Sequence, residues 1–270
     1  SHLHELEEMR AERFELMAKL AKLPPDTIFF TQITMEAAED ETFLDAMRQA
    51  NIKGALVGVE ADTPEGLKEV YKRFNEVGEA LVKRLRTFRD HGVHVLGSFI
   101  FGLPSDRPAT FEATADVAER AGVAFAQFVM LTPYPGTVDF EAWERSQGAD
   151  VARVGDIPVT RHWLIPQAQR PKVYASHPVM SADEIRKRTQ AVWDRFYNLR
   201  RIWARSRCTP TLRARLAFVL LSKLYRQMYA NRGIATDSAR VNRAHRWARL
   251  IARPCRYLFV ARPHPGLAAA

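Results

Sequence analysis

Four short runs rich in β-branched and aromatic residues recur along this chain near residues 28, 56, 95 and 126, at intervals of about 30 residues, with a helical pattern between each pair. That rhythm restricts the fold more than any other feature. Strands separated by whole helices are joined by right-handed crossovers, so they lie parallel in one sheet and open all their strand-end loops on one rim. The runs are Thr27–Met35 (TIFFTQITM), Gly54–Glu60 (GALVGVE), Val93–Pro104 (VHVLGSFIFGLP) and Ala124–Leu131 (AFAQFVML). The spacing predicts helices over Glu39–Ala50, Leu67–Phe74, Gly78–His91 and Ala109–Ala121, the last two closed by Gly92 and Gly122. An amphipathic helix over Ser1–Leu23 precedes them and stops at Pro24-Pro25-Asp26. The fold class is α/β.

The rim is where chemistry is expected. The run VHVLGSFIFGLP has the composition of a strand buried on both faces and ends in Gly102-Leu103-Pro104. In a parallel sheet the loop after a strand's carboxyl end is a ligand position, which marks Gly102–Asp106; the plainer reading is a tight turn that binds nothing. The Pro- and Gly-rich loop Thr132–Thr137 has a stiff backbone suited to holding a flat ligand. In the first strand, period two places Gln32, Thr34 and Glu36 on one polar face, directed at a ligand or at water inside a barrel mouth, or else forming the wet face of an edge strand. Glu60 ends an otherwise apolar strand. A carboxylate there is costly unless something donates to it: cofactor hydroxyls or amines, or a neighbouring Lys68, Lys72 or Arg73.

Charge divides the chain. Residues 181–270 hold 20 Lys and Arg against 4 Asp and Glu, whereas residues 1–180 hold 20 against 27. This suggests a boundary near His177–Ser181 and three regions: a partial barrel over 1–147, an extended crossing segment over 148–180 and a basic helical domain over 181–270. In the crossing segment His162 and His177 are candidate ligands or bases, or structural residues. In the basic region Leu216–Tyr229 (LAFVLLSKLYRQMY) is an apolar helix with cations interspersed, fit to lie on an anionic membrane surface or to dock on the barrel. No nucleic-acid-binding module is recognisable, and aromatic residues do not alternate with the basic ones as a stacking platform needs. No run of 18 apolar residues and no secretion signal is present, so a cytoplasmic location is expected. The two cysteines, Cys208 and Cys255, have neither disulfide-framework nor metal spacing.

Taken in order, Gly58-Val59-Glu60, then SFIFGLP with Asp106, then Leu131–Thr137 (LTPYPGT) resemble the later part of a radical S-adenosylmethionine (SAM) core of the cobalamin-binding subgroup. The VTRHW and SADEIRKRTQ segments and the basic helices resemble the helical extension that trails some of these enzymes. The resemblance implies an incomplete radical SAM barrel of about four strands, in which SAM, reduced by a 4Fe-4S cluster, drives methyl transfer or rearrangement at an unactivated carbon, with cobalamin in the complete protein. By motif match, Glu60 would bind the ribose or amino end of SAM, and Ile100 and Phe101 would line the adenine pocket. The backbone at Thr132, Pro133 and Tyr134 would border that pocket, with Ser98 and Gly102 in the same set. Gln32 and Thr34 would face the barrel interior towards SAM or substrate. The family holds its cluster with a C-x3-C-x2-C run, which this sequence lacks, along with the first two strands and the cobalamin domain. The sequence therefore reads as a truncated or partial relative whose N-terminal half is a missing partner and whose first strand leaves an open, apolar edge. The basic helices hint at a lipid-like small-molecule substrate and peripheral membrane contact. Two other readings stay open: a catalytically inactive SAM-core remnant serving as a binding or scaffold protein, and an ordinary barrel enzyme using Glu36 and Glu60 as acid–base groups.

Overall fold

A computed structural model describes residues 2–73, 75–148 and 150–231. Four strands, β1 (Phe29–Ile33), β2 (Ile52–Glu60), β3 (His94–Phe101) and β4 (Phe125–Met130), form one sheet in sequence order, every pair parallel. The connecting helices are α2 (Glu41–Gln49), α3 (Pro64–Glu69), α4 (Gly78–Asp90) and α5 (Pro108–Ala121); α1 (His2–Leu20) precedes β1, and α6 (Val138–Ser146) follows β4. The architecture is a partial parallel β/α barrel with a helical extension: α7 (Ala182–Phe196), α8 (Leu199–Arg205) and α9 (Leu212–Asn231).

Strand alternation assigns the two faces. Val57 and Val59 of β2, Val95, Phe99 and Phe101 of β3, and Ala126, Phe128 and Met130 of β4 are buried with Leu44, Leu81, Leu85, Phe88 and Phe111 of the surrounding helices. The opposite, inner face carries Gln32, Leu56, Ser98 and Gln127. Phe101 stacks on Phe111 at 4.4 Å and Phe99 on Phe128 at 5.3 Å, so aromatic pairs tie the third strand to α5 and to β4.

The two sheet edges are treated differently. At β4, no further strand pairs among the described residues, and side chains take over the ladder's hydrogen bonds. The Tyr197 hydroxyl accepts from the Ala126 N–H (3.1 Å) and donates to the Ala126 carbonyl (2.8 Å). The Trp193 indole N–H donates to the Phe128 carbonyl at 2.7 Å, and Thr132 Oγ1 to the Met130 carbonyl at 3.0 Å. Arg195, one turn away on α7, is ion-paired with Glu112, Asp116 and Glu119 of α5. Burial pushes the Tyr197 phenol well above its ordinary range, which keeps it a neutral donor and acceptor. At β1 no further strand pairs among the described residues, and on the inner face Phe30 lies over Gly54 and is 62% exposed.

Two expectations need correction. The helix expected over Leu67–Phe74 is α3, Pro64–Glu69, started by Thr63, whose hydroxyl accepts from the Gly66 N–H; Phe74 lies outside the described residues. The segment 148–180 is not extended throughout, because β5 (Arg153–Val154) and β6 (Ile157–Pro158) form a small hairpin around Gly155, and two 3-10 turns follow. The helical pattern expected beyond Asn231, with Cys255, also lies outside the described residues.

If the α7 side chains replace a missing strand, Tyr197→Phe strands a buried N–H donor and weakens its carbonyl. The expected loss is about 1–3 kcal/mol in urea unfolding with an unchanged m-value. A loss under about 0.5 kcal/mol would show that water satisfies this edge instead.

Candidate functional site

The ladder brings three strand tips side by side. Glu60 of β2 pairs with Phe99 across a bulge, Phe101 of β3 pairs with Met130, and the Leu131 N–H donates to the Phe101 carbonyl at 2.7 Å. One layer below the tips a polar row crosses the inner face. Gly58, Ser98 and Gln127 are register partners, and Gln127 Nε2 donates to Ser98 Oγ at 2.8 Å. Gln127 Oε1 accepts from the Tyr229 hydroxyl of α9. Glu60 joins the row from above. The β2 bulge holds it at φ 68°, a conformation that disfavours a side chain, and its carboxylate folds back over Gly58, where any Cβ would collide with it. Lys72 Nζ meets Glu60 Oε1 at 2.9 Å, with both side chains largely sheltered. Of the alternatives open from the sequence, the structure shows the Lys72 ion pair.

The loops above the row are built from inside. The Asp106 carboxylate accepts from the N–H groups of Gly102 (2.8 Å) and Leu103 (3.1 Å), closing the turn that Gly102 permits at φ 90°. Asp106 is only 2% exposed, and burial pushes its carboxyl up to about 6 despite the two donors. Leu103 packs with Ala61 and Leu67, and Ile100 and Leu131 pack against the same cluster, so the rim has an apolar lining next to Glu60.

The crossing segment braces both loops. His177 Nε2 donates to the Leu103 carbonyl at 2.9 Å, while its Nδ1 accepts from Val179 and Met180 N–H. With Nδ1 accepting, the donor to Leu103 is the Nε2–H. His162 Nε2 donates to the Pro133 carbonyl at 3.0 Å, its ring held against Tyr174 at 4.5 Å. Read from sequence as ligands, bases or structural residues, the two histidines each grip one rim loop.

The expected site residues fall as follows. Gln32 and Thr34 are exposed on the inner face, Ser98 is buried in the polar row, and Ile100 is half-buried in the rim lining. Gly102 forms the turn, Thr132 caps the β4 edge, the Pro133 carbonyl is taken by His162, and Tyr134 is exposed. Phe101 is the correction: pleat alternation turns its ring to the helix side against Phe111, so only its backbone reaches the rim. Gln127 and Tyr229 were not singled out from the sequence. A glutamine inside the run AFAQFVML was the available signal, since a polar residue in a buried strand needs partners.

Three candidate cofactors meet different answers. The polar row, the apolar lining and the two loops suit an adenosyl ligand, which offers hydroxyls, an amine and a flat apolar ring. A 4Fe-4S cluster does not fit the residues present. Cys208 is half-buried with its thiol pushed up by burial, away from the thiolate a cluster needs, and among the described residues no three His, Cys, Asp or Glu side chains gather as ligands. For cobalamin the described residues offer no domain of its own.

Comparison with known proteins gives the same direction. No family model matches the chain. It is 27% identical over 158 residues to an uncharacterised methyltransferase of Pyrococcus horikoshii, covering 58% of this chain and 32% of that protein. It is 30% identical over 129 residues to the bacteriochlorophyllide d C-12(1)-methyltransferase of Chlorobaculum tepidum (47% and 27%). It is 28% identical over 142 residues to the hopanoid C-2 methylase of Rhodopseudomonas palustris (51% and 26%). The chain thus spans about a quarter to a third of the length of these relatives. In fold it is similar to the radical S-adenosylmethionine methyltransferase TsrM of Kitasatospora setae, solved with cobalamin and a 4Fe-4S cluster bound: TM-score 0.51, 17% identity, 78% of this chain and 49% of that one.

Asp106 sets a pH dependence. Its carboxyl sits near 6 when folded against about 4 when unfolded, so between those values the folded chain binds the extra proton. Its contribution to stability is therefore greatest below about pH 4, declines as pH rises to about 6 and is flat above, a swing of roughly 2–3 kcal/mol. Asp106→Asn keeps an acceptor for Gly102 and Leu103 and removes the charge. Urea unfolding should find it more stable than the parent at pH 7.5 and equal to it near pH 4; the reverse order at pH 7.5 would show that the two N–H bonds outweigh desolvation.

Proposed function

We propose that this chain is the carboxyl-terminal part of a cobalamin-type radical SAM methyltransferase, in which the strand tips hold S-adenosylmethionine and residues outside this sequence hold the 4Fe-4S cluster and cobalamin. The observation that carries the reading is Glu60: a carboxylate kept at positive φ, folded over Gly58, beside the Ser98–Gln127 row and below an apolar rim. Strained backbone of this kind persists where the surroundings over-determine it, and such residues cluster at ligand sites. In this reading Glu60, released from or shared with Lys72, receives the ribose hydroxyls or amino group. Ile100 and Leu131 border the adenine, and Gln32 and Thr34 face the space between SAM and substrate. Bound there, SAM supplies the methyl group.

Methyl transfer is favoured over rearrangement because the relatives are named for it, and two carry the names of a bacteriochlorophyllide and a hopanoid, which supports an apolar, lipid-like substrate. The partner reading is supported by topology. α1 packs on α2, with Phe14 edge-on to Phe43 at 5.9 Å, where the crossover helix of a preceding βα unit would lie, and the β1 edge beside it is open.

The test uses the complete gene product, reconstituted anaerobically with iron and sulfide. Its upstream sequence should contain a C-x3-C-x2-C run, it should bind SAM, and Glu60→Gln should weaken that binding roughly 10- to 100-fold, the range for a charge-assisted hydrogen bond. A gene without such a run, or a Glu60→Gln variant that binds SAM like the parent, contradicts the proposal.

A further inference from the structure

Helix α9 is apolar on two sides. One side is spent on the core: Phe218 packs on Phe125 (5.3 Å), and Tyr225 and Tyr229 pack on Trp193 (6.5 and 5.0 Å). The other presents Leu212, Leu216, Leu221, Leu224 and Met228, each between 40 and 64% exposed. Spaced four, five, three and four residues apart, they spread over about half of the helix surface along about 24 Å. On the neighbouring α8, Leu199 and Trp203 are exposed as well, with Arg215 of α9 stacked 4.0 Å over the Trp203 ring. A helix with two apolar faces normally covers both.

Charge identifies the occupant. Residues 199–231 hold eight Lys and Arg and no Asp or Glu. Arg200, Arg207 and Arg213 are exposed on the same segment, whereas Lys223 Nζ donates to the Tyr197 carbonyl at 2.8 Å and Arg226 is drawn inward to Asp194 at 2.9 Å. A second copy of the chain would set the exposed cations of one segment against those of the other. An anionic bilayer surface meets both halves of the pattern: the leucines enter the acyl boundary, and the long cationic side chains reach phosphate headgroups. Among the described residues no helix is long and apolar enough to cross a membrane, so the contact lies in the interface plane. We propose that the outer face of α9, with its cationic border, is a docking surface for anionic lipid membranes. The proposal stands apart from the SAM reading, because none of these residues belongs to the strand-tip site.

The test is sedimentation of the whole 270-residue chain with vesicles of phosphatidylcholine alone or mixed with phosphatidylglycerol. Expected is binding to the mixed vesicles roughly tenfold tighter than to the neutral ones, weakening as salt rises from about 0.1 to 0.5 M. Leu216→Glu with Leu221→Glu and Leu224→Glu should abolish it, and Arg200→Gln with Arg207→Gln should remove most of the preference for the anionic lipid. Circular dichroism reports whether the triple variant stays folded; if it does not, the arginine pair alone decides. No binding to mixed vesicles, equal binding to both, or binding untouched in the arginine pair overturns the proposal. So does a concentration-dependent dimer that the leucine substitutions dissolve without any vesicle binding.

Discussion

The parallel hydrogen-bond ladder from β1 to β4 is the constraint on which the remaining structure rests. Parallel strands joined by helices deliver their carboxyl ends to one side, so Glu60, the Gly102–Asp106 turn and the Leu131–Thr137 loop meet without further instruction. The same ladder leaves two edges, and they are not equivalent. Tyr197 and Trp193 take the Ala126 N–H and the Ala126 and Phe128 carbonyls at the β4 edge, where a further strand would have to displace them. The β1 edge has no partner strand among the described residues and can accept a neighbour. Extension of this sheet therefore has one direction.

Above the ladder, precision comes from the crossing segment. Asp106 shapes one loop from within, and His177 and His162 hold the carbonyls of both loops from outside. Each histidine donates from Nε2 to a backbone carbonyl and so braces a loop from the crossing segment. Glu60 is the point where this order meets strain. Its positive φ and its fold over Gly58 hold a sheltered carboxylate at the strand tips, paired with Lys72.

The four strands and their parallel arrangement were legible because the βα rhythm and the Gly and Pro stops are local signals. Glu60 was legible as the one charge ending an apolar run, although whether a ligand or Lys72 met it was not, since that depends on a side chain 12 residues away in a turn. Phe101 was misassigned for a definite reason: in a strand apolar at nearly every position, composition does not reveal which parity faces the helices. The edge bonds of Tyr197 to Ala126, 71 residues apart, and the histidine braces belong to tertiary structure and leave no periodic trace. Gln127 did leave one, as a lone amide in a buried strand.

The claim that the strand tips cup an adenosyl group is most directly tested by amide hydrogen exchange of the complete gene product with and without S-adenosylmethionine. The account predicts slowed exchange at residues 60–62, 98–106 and 131–134 together, with α9 unchanged. Binding of SAM that protects other segments and leaves those three as they were would contradict it.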